Sequence, residues 1–146
     1  MKRNIIIIIG LIVFSISGCM ADYPVDEDGL LVTDREDCYV ASFELLGADH
    51  QTVRPAIGGT PVIENPVFNE EGVLITEGAI RVPVRFGTNL RILWPQFSLS
   101  EDSKLEPKVT GWTDFSDLDN PKKYTVISGN RQIRRTYTVI ITVVAK

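Results

Sequence analysis

The sequence holds one histidine, His50, and two cysteines, Cys19 and Cys38, among 146 residues. A metal site needs several ligands at defined spacing, and only Asp49 flanks His50, so no metal is expected there. A hydrolase triad would have to recruit that same histidine, and no nucleophile elbow accompanies it. Gly58-Gly59 lacks a following Lys-Ser or Lys-Thr, which makes it a turn and not a phosphate cradle. The acidic Asp26-Glu27-Asp28-Gly29 lacks the 12-residue loop spacing of an EF-hand. No apolar run reaches the ~20 residues of a membrane-spanning helix. Nowhere do ten residues show capped helical spacing. Nineteen acids could supply a carboxylate pair for glycoside hydrolysis, but a domain this small offers little cleft to hold one. The expectation is a protein with no catalytic residue, no metal and no cofactor.

What is present begins with an address. Lys2 and Arg3 precede the apolar stretch Ile5 to Ile16, which ends in Ile16-Ser17-Gly18-Cys19. A basic start, a short apolar core and small residues before a cysteine resemble a bacterial lipobox. Residues 1–18 then read as a lipoprotein signal peptide and Cys19 as the lipidated residue. The alternatives are an ordinary signal cleaved near Ala21 or an uncleaved anchor. Each buried methylene contributes ~0.8 kcal/mol, and two or three acyl chains would hold the protein on a membrane permanently. Removal of two bases takes the net charge from −4 to −6. Such a surface argues against nucleic acid, whose phosphates demand clustered Lys and Arg. With Cys19 consumed by lipid, Cys38 has no disulfide partner and reads as a small buried strand residue.

Residues 19–37 are acidic, carry Pro24 and Gly29, and read as a flexible tether that reaches at most ~60 Å. The remaining stretch, 38–146, has the size of one domain. Period-2 alternation dominates it. Ile80, Val82, Val84 and Phe86 alternate with Arg81, Pro83 and Arg85, so Pro83 lies on an edge strand or turns its amide outward. Tyr137, Val139, Ile141 and Val143 share one face. Ala41, Phe43 and Leu45 alternate with Ser42 and Glu44, and Leu93, Phe97 and Leu99 with Trp94, Gln96 and Ser98. Val73 to Thr76 pairs with Pro66 to Phe68 across the turn Asn69 to Gly72. Short strands broken by Gly, Pro and Asn turns predict an all-β sandwich. Near the C-terminus, Gly129-Asn130 predicts a hairpin with positive φ in its turn. A two-residue loop sets Val126 opposite Ile133 and puts Arg135 on the face of Tyr137; a three-residue loop with a bulge shifts that register by one.

Thr88-Asn89-Leu90, Pro95 through Leu99, Pro107, Gly111, Asp114-Phe115, Pro121, Tyr124-Thr125-Val126 and Tyr137-Thr138-Val139 occur in an order that looks familiar. Over residues 39–144 the chain resembles the Ig-like domains of unknown function in Bacteroidota lipoproteins. Trp112, the Ser-Gly-Asn turn and the stretch 50–72 depart from that pattern. The resemblance implies a single immunoglobulin-like sandwich on an outer-membrane, cell-surface lipoprotein. It further implies a binding or positioning role near polysaccharide capture, or in an uptake complex. It carries over no catalytic residue.

Sugar recognition needs flat aromatic faces beside planar polar groups. Trp94 falls on the polar face of its strand, and Trp112 lies in a loop with Asp114, Asp117, Asp119 and Asn120. Trp112, Trp94, Asp114 and Asn120 are therefore the candidate glycan-binding residues. Against this stands burial of Trp112 as a cap on the core between Gly111 and Phe115. The expected partners are a membrane, through the lipid, and either polysaccharide or a protein of an uptake complex. The other reading is a structural spacer or assembly subunit without a glycan ligand.

Overall fold

The computed structural model describes residues 23–146; the signal peptide expected at 1–18 and the lipidation expected at Cys19 lie outside the described residues. Nine strands and no helix make up the described chain: β1 (Val40–Leu46), β2 (Val62–Glu64), β3 (Val67–Phe68), β4 (Leu74–Thr76), β5 (Gly78–Val84), β6 (Trp94–Leu99), β7 (Lys104–Glu106), β8 (Lys123–Ile127) and β9 (Arg134–Val143). A five-stranded sheet runs β2-β5-β9-β8-β7, and β1 pairs with β6 in a second layer. The expected all-β, Ig-like sandwich is what forms. Its β5–β9 pair is parallel, so the chain crosses to the second layer and back between them.

Alternation decides what fills the space between layers. Ile80, Val82 and Val84 of β5, Tyr137 and Val139 of β9, and Tyr124 and Val126 of β8 are buried against Phe43 and Leu45 of β1. Phe97 bridges the layers, its ring 4.8 Å from both Phe43 and Tyr124. Ala41 departs from the expected alternation. A bulge between Val40 and Ser42 turns it outward and lets Val40 take the core position. Pro83 sits in an internal strand. Val84 accepts from Val144 N (2.9 Å) on the β9 side, whereas Arg85 N donates to Val53 O (2.9 Å) on the other. By alternation the Pro83 nitrogen faces that other side, past the end of β2, where no ladder bond is lost.

The β3–β4 hairpin forms as expected. Asn69 Oδ1 accepts from Glu71 N (3.0 Å) and Val73 N (2.8 Å), and Gly72 takes a φ of 78°. The β8–β9 register differs from both expectations. Val126 lies opposite Arg135, because the loop spans four residues, 129–132, closed by Ser128 N donating to Ile133 O (3.0 Å). Positive φ falls at Arg131, not at Gly129 or Asn130. Arg135 does share the face of Tyr137; its guanidinium is sheltered 5.3 Å from the centre of the Phe68 ring, a cation–π contact.

Of the stretch 19–37 read as a flexible tether, the described part packs on the domain. Residues 24–32 fold back as a small hairpin, with Val32 N donating to Pro24 O (2.7 Å) and Asp26 N to Leu30 O (2.9 Å). The following residues lie on the domain: Thr33 N donates to Gly129 O (3.0 Å) and Asn130 N to Arg35 O (2.9 Å). Here the acids find cations. Asp26 pairs with Lys104 (2.9 Å) and Arg131 (3.0 Å), and Asp28 with Lys104 (2.8 Å) and Lys108 (2.7 Å). Acidity that looked like solvated linker is charge complementarity to a basic patch that sequence distance concealed. Cys38 is buried as expected but precedes β1. Its thiol donates to Val126 O (3.2 Å), and burial pushes its pKa up.

This ion cluster has a definite pH response. Hydrogen bonds from Lys104 hold the Asp26 and Asp28 carboxyls below their ordinary range. Bonds to Asp28 and Asp26 push the Lys104 ammonium up. A depressed carboxylate stabilises the docked segment above its unfolded pKa and loses that contribution only as pH falls through the lower folded value. A raised ammonium contributes below its unfolded pKa and loses that as pH rises through the higher folded one. The segment is therefore expected to stay docked from about pH 5 to about pH 10. Amide chemical shifts of Thr33 and Asn130 that remained constant across that window would verify it; movement near pH 6 would contradict it.

Candidate functional site

Three loops converge where β1 ends and β6 begins. Antiparallel pairing puts Leu46 beside Trp94. Thr113 is clamped to Leu93 by two backbone bonds, Thr113 N to Leu93 O (2.7 Å) and Leu93 N to Thr113 O (3.1 Å). That clamp brings Trp112 against Trp94, ring centres 5.5 Å apart and planes at 86°, the edge-to-face arrangement that aromatic quadrupoles favour. From β1, the Gly47–Gln51 turn carries His50 at a φ of 57°, held by His50 N donating to Gly47 O (2.9 Å). Its imidazole centre lies 5.0 Å from that of Trp112.

Trp112 is 44% exposed, so it does not cap the core; Phe115, buried, does that with its amide bonded to Leu90 O (2.7 Å). Trp94 is half-buried. The structure thus joins the two candidate tryptophans. Asp114 and Asn120 go elsewhere, lining a separate hollow with Lys122 and Ile141. Asp114 accepts from Ser116 N (2.8 Å), and hydrogen bonding from the Ser116 hydroxyl and then its amide lowers the Asp114 pKa. Asn120 donates to Asp117 through both its amide and its side chain. These polar groups shape their own loop.

From the tryptophans a polar ladder runs along the outer face of β1 and β6. Glu44 stands opposite Gln96 and Ser42 opposite Ser98. Glu44 is neutralised by Arg54, whose Nε donates to it at 3.0 Å and whose Nη2 also binds it. Ser42, Glu44, Gln96 and Ser98, with Trp94 and a few apolar neighbours, line an open groove of about 450 Å³ that has no lysine or arginine among its lining residues. Gln96, Ser42, Ser98 and His50 were missed as site residues. The parity of each strand was legible; that β1 and β6 are neighbours was not.

A surface glycan-binding protein profile, described as "SGBP, N-terminal", matches residues 65–141. Among solved structures, a candidate glycoside hydrolase from Bacteroides thetaiotaomicron is similar with a TM-score of 0.48 and 21% identity, over 75% of this chain and 26% of its own. The chain thus spans about a quarter of that protein's length. A candidate secreted protein from Bacteroides fragilis is similar with a TM-score of 0.42 and 10% identity, over 75% of this chain and 98% of its own. No curated protein matches. The profile takes in Trp94, Gln96 and Trp112 and more than half of the sequence, and the chain belongs to the SGBP N-terminal family.

Proposed function

We propose that this chain is a non-catalytic, lipid-anchored cell-surface domain that holds polysaccharide at the Trp94–Trp112 end of its sandwich. The observation that carries this is an exposed tryptophan, braced edge-to-face by a second one, at the head of a polar ladder. An exposed indole offers the apolar face that the C–H surface of a sugar ring covers, and Gln96 and the serines supply hydrogen bonds to hydroxyls. The groove has no uncompensated cation among its lining residues, which favours a neutral glycan over a polyuronate. Membership of a surface glycan-binding family supports the same reading. The lipid belongs at Cys19, in the envelope of an uptake system.

Affinity electrophoresis in gels cast with neutral polysaccharides or with polyuronates tests the ligand. Retention by a neutral glycan, relieved about tenfold in affinity by Gln96→Ala, is expected, the loss of one or two exposed hydrogen bonds. Retention by polyuronate alone would sink the neutral-glycan reading. A specific feature favours a protein-binding alternative: Val67, Val73, Leu74 and Ile75 on the β3–β4 hairpin are exposed. No retention by any glycan, with cross-linking in cells through that hairpin, would establish that alternative instead. Radiolabelled palmitate tests the anchor, and a Cys19→Ser form that still took up label would refute it.

A further inference from the structure

We infer that the folded-back N-terminal segment is a latch that fixes which end of the domain faces the membrane, directing Trp94, Trp112 and His50 away from it. The inference rests on the anchor reading at Cys19. Among the described residues Pro24 is the first tied down, through Val32, and Val32 adjoins Thr33 on Gly129. Only four residues lie between Cys19 and Pro24, a reach of at most ~18 Å where an undocked segment through 37 would allow ~60 Å. Pro24, and with it the link toward Cys19, therefore sits at the end of the sandwich that carries the 129–132 loop and the turn after β6.

The latch is built, not incidental. Asp26 and Arg131 are buried to 10% and 17% side-chain exposure. Arg131 adopts a φ of 61°, sparsely populated for a side-chain-bearing residue. There its guanidinium donates to Asp26 (3.0 Å), Asp102 O (3.0 Å), Ser128 O (2.8 Å) and Leu31 O (2.8 Å). Gly129 leaves room for the strap: a Cβ there would lie 2.4 Å from Thr33 Oγ1 and 3.1 Å from Arg35 Cβ. Arg35 in turn pairs with Glu101 (3.0 Å) and Asp102 (3.2 Å). All of these belong to the Val40–Leu99 end of the β1–β6 pair, while Leu46 and Trp94 mark the other. Along β6 the two ends are ~17 Å apart.

Both tryptophans of the protein sit at the far end, which makes them native distance reporters. The chain from Cys19 onward can be coupled through that thiol to maleimide lipid in vesicles that also carry a dansyl headgroup lipid; Cys38, 2% exposed, is protected. Chemical coupling separates this test from natural lipidation, and no glycan is involved. Energy transfer from tryptophan to dansyl is expected to be weak in the wild type. It should rise severalfold in an Asp26→Ala, Arg131→Gly double variant, in which glycine keeps the backbone angle and the domain tumbles on a longer leash. Gly129→Val, which pushes Thr33 and Arg35 away by bulk, should raise it likewise, with near-ultraviolet circular dichroism confirming the fold of each variant. Strong transfer in the wild type would overturn the orientation. Equal transfer in the wild type and the folded variants would overturn the latch.

Discussion

Tyr137→Ala is expected to lower the unfolding free energy by about 3–5 kcal/mol, the range for removing a buried aromatic side chain. That is a large share of the ~5–15 kcal/mol that holds a typical domain together. Tyr137 is fully buried and ties three parts of the fold. Its ring lies over Gly78 of β5, its hydroxyl accepts from Val40 N of β1 (3.4 Å), and it donates to Asn65 Oδ1 (2.8 Å) ahead of β3. Tyr137→Phe isolates the hydroxyl, leaving the Val40 amide unpaired, at about 1–3 kcal/mol. Gly78 is the counterpart. A Cβ there would sit 2.6 Å from Tyr137 Cδ1 and 3.0 Å from Pro66 Cδ, so Gly78→Ala should cost about 1–3 kcal/mol by overpacking. In the Tyr137→Ala background that cost should shrink, since the cavity accepts the methyl group. Urea denaturation of the four forms measures the cycle. Additive losses would show that the ring and Gly78 do not share one packing constraint.

For Trp112→Ala the expected result is a loss of glycan affinity of about thirtyfold or more, the ~2 kcal/mol of a binding hot spot. Stability should fall by only about 1 kcal/mol, the worth of its contacts with Trp94 and His50. Exposure makes Trp112 the clean probe. Trp94 is half-buried beside Leu46, so Trp94→Ala should weaken both binding and fold. Titration of the retained polysaccharide, followed by intrinsic fluorescence of the remaining tryptophan, reads the first number; urea denaturation reads the second. Unchanged affinity in a folded Trp112→Ala protein would remove the tryptophan end as the site and leave the β3–β4 hairpin as the surface to pursue.

Asp114 and Asn120 show where reading along the chain misleads. Asp114 is two residues from Trp112, yet it bonds its own loop and lines another hollow. Gln96 and Ser42 are 54 residues apart in sequence and share one ladder. Proximity on a strand-rich chain is poor evidence of proximity in space, because successive side chains point to opposite faces and partners come from distant strands.

Local chemistry was enough to determine the class of this protein. Alternation at Ile80–Val84 and Tyr137–Val143, the Asn69–Gly72 turn and the lack of helical spacing are short-range properties, and they imply a sandwich whatever the strand order. The tertiary structure alone decided the rest. It set β5 parallel to β9, slid Arg135 opposite Val126, drew Trp94, Trp112 and His50 together, and docked the acidic segment at 24–35 on Lys104 and Arg131. Apart from the Val126–Arg135 register, which a short loop sets, each of those outcomes is a pairing between residues distant in sequence. Its energy comes from burying complementary surfaces and charges at once, which no single stretch of chain encodes.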